Sequence, residues 1–330
     1  MKTAFFASDA IAVPALEALL KKTELKCVVS NPDRPKGRGG KLSPNDVSAW
    51  AIKNGVPLLR PQNSPSCETV EALKDLGVEI VFVMAYGKIL RREVLNFAPR
   101  GIYNLHGSVL PKYRGASPVE TSIALGEKFG GVSLMKISEK MDCGDVCKTA
   151  RVEIAPRDTA ASLREKIAGC AANLMQESLE ALYEGRAAFT PQDDSKALYC
   201  RKIFKCDMRL DFSKSAAELE RRVRAFGGAF LTRENGETVK IGEASAEGEA
   251  ENSKFGKLVS ADSGGVKISC AKGVLKITKL QAPCAKMLEA GAFLNGYKLD
   301  GGEVFKSFML PEIVSKTPFT KTFYEKLKTI

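Results

Sequence analysis

The sequence predicts an α/β protein: a mostly parallel sheet covered by helices, followed by a small β-rich domain. Three observations carry this. Through the first half, short apolar runs alternate with helical stretches, as βαβ units do. Val78 to Met84 reads VEIVFVM, rich in the β-branched and apolar residues of a strand buried on both faces. After Phe226, brief strand-like runs are separated by glycine-containing turns, the pattern of a small barrel or sandwich.

Taken in order, Thr3–Ala7 is a first strand. Pro14 to Leu20 is helical, with Pro14 in the first turn where a proline is tolerated. Leu25–Val29 is a second strand. Asn31 to Lys41 reads NPDRPKGRGGK, a loop by its prolines and glycines. Ser43-Pro44 opens a helix to about Asn54, with serine as cap and proline in the first turn. Val78–Met84, Ile102–His106 and Val132–Ile137 are further strands. Ser162 to Tyr183 has Leu163, Ile167, Leu174, Leu179 and Leu182 at helical spacing. Gly185 to Ser213 shows turn residues, mixed charge and no period, and reads as a linker. Ser215 to Phe226 is a short capped helix. Thr238–Ile241, Lys257–Val259, Val266–Cys270 and Val274–Leu280 are the strand-like runs of the second domain. The tail from Lys306 is basic and weakly patterned.

The 330 residues suit two domains, and 44% apolar with 27% charged residues is ordinary for a packed chain. No run of 18 apolar residues marks a membrane span. Asp9 ends the first apolar run before signal-peptide length, so a strand is expected there and not a secretory address. The nine cysteines are scattered without a CxxC pair, which suits a reduced, cytoplasmic chain. His106 is the one histidine, which excludes any site needing two. The net charge is +11; residues 201–330 carry 23 basic and 16 acidic side chains, net +7, against 27 and 23, net +4, before them. A positive excess weighted to the second half points toward a polyanion, nucleic acid being the commonest.

The chemistry is concentrated in Asn104-Leu105-His106-Gly107-Ser108-Val109-Leu110-Pro111-Lys112-Tyr113-Arg114-Gly115-Ala116. Ligands of parallel α/β sheets sit beyond the carboxyl ends of the strands, and Asn104 and His106 fall at one such end. Two apart on a strand, they share a face. An amide donor beside an imidazole suits a carbonyl carbon becoming tetrahedral: one group steadies the oxyanion, the other handles a proton. Asp142, in the turn Met141-Asp142-Cys143-Gly144-Asp145, offers a carboxylate to orient the imidazole. Alone, an Asn-x-His pair is more often a turn cap with a hydrogen-bonded histidine. Gly37-Arg38-Gly39-Gly40 does not fit the dinucleotide fingerprint.

In combination and in order, these motifs resemble the methionyl-tRNA formyltransferase family, within the folate-dependent formyltransferases, over residues 1 to about 305. The Asn-x-His with Ser-Val-Leu-Pro-Lys-Tyr-Arg-Gly-Ala is similar to the family hallmark, and Met141 to Asp145 to its Leu-Asp-x-Gly-Asp. Val83 to Leu90 resembles the stretch lining the pterin pocket, and Asn31 to Gly39 the inserted loop that engages the tRNA acceptor stem. The block from Pro191 to Arg221 resembles the linker and the start of the C-terminal domain. The resemblance implies a Rossmann-like catalytic domain over 1–185, a linker over 186–213, and an OB-like tRNA-binding domain with an extra tail over 214–330. It implies formyl transfer from 10-formyltetrahydrofolate to the α-amino group of methionyl initiator tRNA, with no metal. Asn104, His106 and Asp142 are the expected catalytic set. Lys88, Ile89 and Leu90 are expected to read the pterin by backbone groups, and Ser108, Val109, Leu110 and Pro111 to wall the folate. Lys36, Arg38 and Lys41 are expected to serve the tRNA. A monomer is expected.

Departures exist. Ala7-Ser8 stands where the family usually has Gly-Thr, Gly130 and Cys143 replace threonines, and Phe226-Gly227-Gly228-Ala229-Phe230 replaces a proline-rich stretch. A sugar-nucleotide amine formyltransferase or a formyl-folate hydrolase module would share the Asn-His-Asp set, and the arginine-bearing loop separates them from the tRNA enzyme. An RNA-binding protein without turnover has no need of that set.

Overall fold

A computed structural model describes residues 1–36, 40–248 and 254–328. The chain divides into two compact units. The first comprises residues 1–116, 129–153 and 164–198; the second comprises 117–128, 154–163 and 199–330.

The first unit is built on seven strands: β1 (Lys2–Ala7), β2 (Glu24–Val29), β3 (Leu58–Leu59), β4 (Ile80–Met84), β5 (Ile102–His106), β6 (Phe129–Lys136) and β7 (Val146–Glu153). Across the sheet they run β7-β6-β5-β4-β1-β2-β3. The pairs among β5, β4, β1, β2 and β3 are parallel, while β6 and β7 are antiparallel additions. The mostly parallel sheet that the alternation predicts is therefore present. In β1, Ala4, Phe5, Phe6 and Ala7 are all fully buried, as covering on both faces requires. Helix α1 (Val13–Lys22) buries Ala15, Leu16, Ala18 and Leu19 at i, i+1, i+3 and i+4, one stripe of a helix. Helix α3 (Cys67–Asp75) sends Val70 and Leu73 into a cluster with Ala4, Phe6, Val29, Val81 and Val83 on one sheet face. Burying each such leucine or valine contributes about 1.5–3 kcal/mol.

Two local expectations are corrected. Helix α2 spans Asp46–Lys53, and its cap is Asn45, not Ser43: the Asn45 side-chain oxygen accepts from the Ser48 N–H at 2.9 Å. Pro44 holds Ser43 extended, since a residue before proline avoids the helical region, so the cap falls two residues later. The segment read as one loop from Asn31 to Lys41 contains strand residues Arg34–Lys36, paired antiparallel with Lys41–Ser43.

The second unit carries an antiparallel sheet of β8 (Ala229–Thr232), β9 (Thr238–Glu247), β10 (Leu258–Asp262), β11 (Gly265–Ser269) and β12 (Val274–Gln281), in the order β8-β9-β12-β11-β10. Leu231, Val239, Ile241, Val266, Ile268, Leu275, Ile277 and Leu280 point inward and are fully buried. They meet Leu219 and Val223 of the helix Ala216–Phe226. That helix is closed by a reciprocal capping box between Ser215 and Glu218 and ends on Gly227 at φ +69°. The Arg201–Asp207 pair is wholly buried, with contacts of 2.8 and 2.6 Å. Arg201 also donates to the Glu312 carbonyl at 2.7 Å, which fastens the tail segment within this unit. The tail holds a helix, Lys321–Lys328, that the weak pattern does not foretell.

Candidate active site

Strand β5 turns polar as it reaches the carboxyl edge of the sheet. Its register is fixed on both sides: Asn104 lies opposite Val83 of β4 and Met135 of β6, and His106 opposite Ser133. His106 is buried. Its Nε2 lies 2.8 Å from the Tyr113 carbonyl oxygen; a carbonyl only accepts, so Nε2 carries a proton and donates. Nδ1 then faces Asp142 Oδ2 at 3.7 Å. That is beyond a direct hydrogen bond but close enough for charge on one group to act on the other.

Asp142 is itself gripped. Its Oδ2 accepts from the Gly115 N–H at 2.8 Å. Tyr113 and Asp142 both have left-handed backbones, at φ +60° and +51°, a conformation that costs about 1 kcal/mol outside glycine. The tripeptide Tyr113-Arg114-Gly115 thus touches the imidazole with its first carbonyl and the carboxylate with its last N–H. Between them the Arg114 side chain is 1% exposed. It donates to Gln192 Oε1 at 3.0 Å, to Cys143 Sγ at 3.2 Å and to Asp194 Oδ1 at 2.8 Å. Gln192 in turn donates from Nε2 to the carbonyls of Asp142 and Gly144, at 2.9 and 2.8 Å. Gly144 is obligatory: a Cβ there would lie 1.9 Å from the Lys136 carbonyl oxygen.

The loop after His106 is fixed by one buried hydroxyl. Ser133 Oγ donates to the Ser108 carbonyl at 2.8 Å and accepts from the Leu110 N–H at 3.1 Å. Ser108 Oγ donates to the Lys112 carbonyl at 2.6 Å. Ser108 and Leu110 are buried, Val109 and Pro111 half-buried, and the Leu110–Pro111 peptide is cis.

Lys88, Ile89 and Leu90 follow β4, the parallel neighbour of β5. The Lys88 ammonium donates to three backbone carbonyls, of Pro61, Gln62 and Asn63, at 2.7, 3.1 and 2.8 Å. Burial, then the nearby Arg34 charge, moves the Lys88 pKa down. The ammonium is therefore committed to fastening the 61–63 loop. Ile89 is 80% exposed and Leu90 half-buried.

Of the residues expected to serve a nucleic acid, Lys36 ends one hairpin strand opposite Lys41, which is exposed. Arg38 lies outside the described residues. The hairpin base is braced by Arg60, which donates to Asp33 Oδ1 at 2.6 Å.

The sequence alone did not single out Arg114, Gln192 or Ser133, although Arg114 sits in the quoted motif and Gln192 in the quoted linker block. Their signal is chemical: a buried arginine demands acceptors, and a glutamine in an unpatterned stretch can supply one. Among the described residues, no group of three or more His, Cys, Asp or Glu is placed to hold a metal ion.

At the carboxyl edge of the sheet the structure thus sets the His106 imidazole 3.7 Å from the Asp142 carboxylate, with Asn104 two positions before His106 on the same strand, groups whose chemistry is that of proton handling and group transfer. The chain belongs to the formyl transferase family: the formyl transferase model matches residues 1–179 and the formyl transferase C-terminal domain model residues 202–298. It is 37% identical over 313 residues to a methionyl-tRNA formyltransferase of Methylobacillus flagellatus, covering 93% of this chain and 100% of the relative. A methionyl-tRNA formyltransferase of Myxococcus xanthus is 36% identical, over 90% of this chain and 96% of its own. Among solved structures, WlaRD, a sugar 3N-formyl transferase crystallised in the presence of dTDP and 5-N-formyl-THF, shares the fold at TM-score 0.62 and 19% identity, covering 87% of this chain and 99% of its own. No helix among the described residues is long and apolar enough to cross a membrane.

Proposed function

We propose that this chain transfers the formyl group of 10-formyltetrahydrofolate to the α-amino group of methionyl initiator tRNA. The observation that carries the reading is the 3.7 Å approach of Asp142 to His106, which shares its strand with Asn104, in a chain alike over nine-tenths of its length to enzymes so named. Asn104 donates to the formyl oxygen as it becomes an oxyanion. His106, its Nε2 proton held by Tyr113, uses Nδ1 to exchange a proton with Asp142 and the reacting atoms. The attacking amine forms the new C–N bond and loses a proton. The bond from the formyl carbon to folate N10 breaks, and N10 takes up a proton, so the pair ends in the protonation state in which it began.

The backbone at Lys88, Ile89 and Leu90 takes the polar edge of the pterin. The apolar side chain of exposed Ile89 beside it suits a flat ring. Ser108, Val109, Leu110 and Pro111 form the adjoining wall. The segment of the sequence that contains Lys36, Arg38 and Lys41 meets the acceptor stem. Residues 1–185 carry the Rossmann-like catalytic domain, and 186–213 are the connecting stretch, packed with the first unit as far as 198 and with the second from 199. Residues 214–330 form an OB-like domain for the tRNA backbone, its net charge suited to phosphate. The enzyme works as a cytoplasmic monomer.

The test is formyl transfer from 10-formyltetrahydrofolate to initiator methionyl-tRNA, beside elongator methionyl-tRNA and an amino-sugar nucleotide. Formylation of the initiator species alone is expected. Transfer to the sugar instead, or free formate with every acceptor, overturns the assignment.

A further inference from the structure

We infer that Gln192 is a positioning residue for Asp142, so that the segment after the helix Ala160–Tyr183 sets the geometry of the reaction. The inference rests on the reading of Asp142 as a reacting group. Gln192 spends both amide hydrogens on one turn, donating to the carbonyls on either side of Cys143 at 2.9 and 2.8 Å. Its oxygen accepts from Arg114 Nε at 3.0 Å. Of the side chains, only a primary amide of this length brings two donors and an acceptor in one plane. The held turn is the one whose backbone is left-handed at Asp142, a conformation that persists where the surroundings over-determine it. Arg114 completes the clamp from the other side, its guanidinium reaching Cys143 Sγ while its neighbours Tyr113 and Gly115 touch His106 and Asp142. Gln192 itself makes none of its described hydrogen bonds to a group that would meet substrate. Its effect passes through the place where Asp142 Oδ2 stands relative to His106 Nδ1.

The substitution Gln192→Glu keeps the size and the acceptor toward Arg114 and removes both donors. Measured on the full chain by formyl transfer to initiator methionyl-tRNA, it should lower kcat by about 10- to 100-fold, the scale of a 1 Å displacement of a catalytic group. KM for both substrates should stay within about twofold. Asp142→Asn and the double variant complete a cycle. Because Gln192 acts through Asp142, the double variant should be no slower than Asp142→Asn alone. A Gln192→Glu enzyme with normal kcat beside a severely slowed Asp142→Asn overturns this inference and leaves the role of Asp142 standing, as does full additivity in the cycle. An Asp142→Asn enzyme with normal kcat overturns the role of Asp142 and the inference with it. If Gln192→Glu does not fold, Gln192→Met, which keeps the bulk without the polarity, takes its place; the same loss supports the inference and normal kcat overturns it.

Discussion

Replacing Gly144 by alanine probes the carboxylate turn directly. The added methyl would stand 1.9 Å from the Lys136 carbonyl oxygen, and the two must separate by about 1.1 Å to reach the 3.0 Å that such contacts tolerate. Lys136 cannot retreat. It closes β6, pairs with Tyr103 of β5 on one side, and its N–H donates to the Asp145 carbonyl at 2.9 Å on the other. The displacement therefore falls on the turn, and Asp142 is two residues away. A shift of that size in a catalytic group costs about 10²-fold in rate. Forcing a methyl into a filled interior also costs about 1–3 kcal/mol of stability. Single-turnover formyl transfer and thermal unfolding, run on the same preparation, read the two effects separately. The expectation is a lower unfolding midpoint and a roughly hundredfold loss in the chemical step. A variant that melts lower yet transfers formyl within threefold of the parent would refute the claim that the turn's position governs the reaction.

Other outcomes are expected. Ser133→Ala removes the acceptor for the Leu110 N–H and the donor to the Ser108 carbonyl; leaving those groups unpaired costs about 1–3 kcal/mol, and binding of 10-formyltetrahydrofolate, measured calorimetrically, should weaken. Arg201→Met strands Asp207, which is wholly buried, so chemical denaturation should show a loss of about 3–5 kcal/mol. Burial pushes the Cys27 thiol up to about 12 from 9.0. Its folded pKa is raised, so its contribution to stability is complete below pH 9 and is lost as pH climbs toward 12; the alkaline fall in unfolding midpoint should be shallower in Cys27→Ala. In native protein at pH 8, a thiol reagent should label exposed Cys67 and Cys284 well before buried Cys27 and Cys270, and equal rates would contradict the packing described.

The parallel core was readable because burial on both faces leaves a continuous apolar run, as in Ile80–Met84, and because its helices carry a single stripe. Strand β7 leaves no such trace: Val146–Glu153 mixes half-buried with exposed positions and carries Lys148, Arg151 and Glu153, as an edge strand does. The helix start at Asp46 differs from the Ser43-Pro44 signal because Asn45, not Ser43, holds the Ser48 N–H. Of the site, His106 and Asp142 could be paired from the motif order. The clamp could not, since Gln192 stands 78 positions from Arg114 and 50 from Asp142. Side-chain partners that far apart leave no periodic trace.

The antiparallel strands at one end of the first unit's sheet bear on a different hazard, that of sheets joining from molecule to molecule. An open strand edge is a template for another chain. Here β7 presents Lys148 and Arg151 along its length, with Lys148 bonded to Glu177 and the Val146 end already paired with Thr190. At the opposite margin, β3 is two residues long. One margin repels a stray strand by charge and the other offers too few groups to align one. Folding intermediates that have formed this sheet therefore have little edge to share.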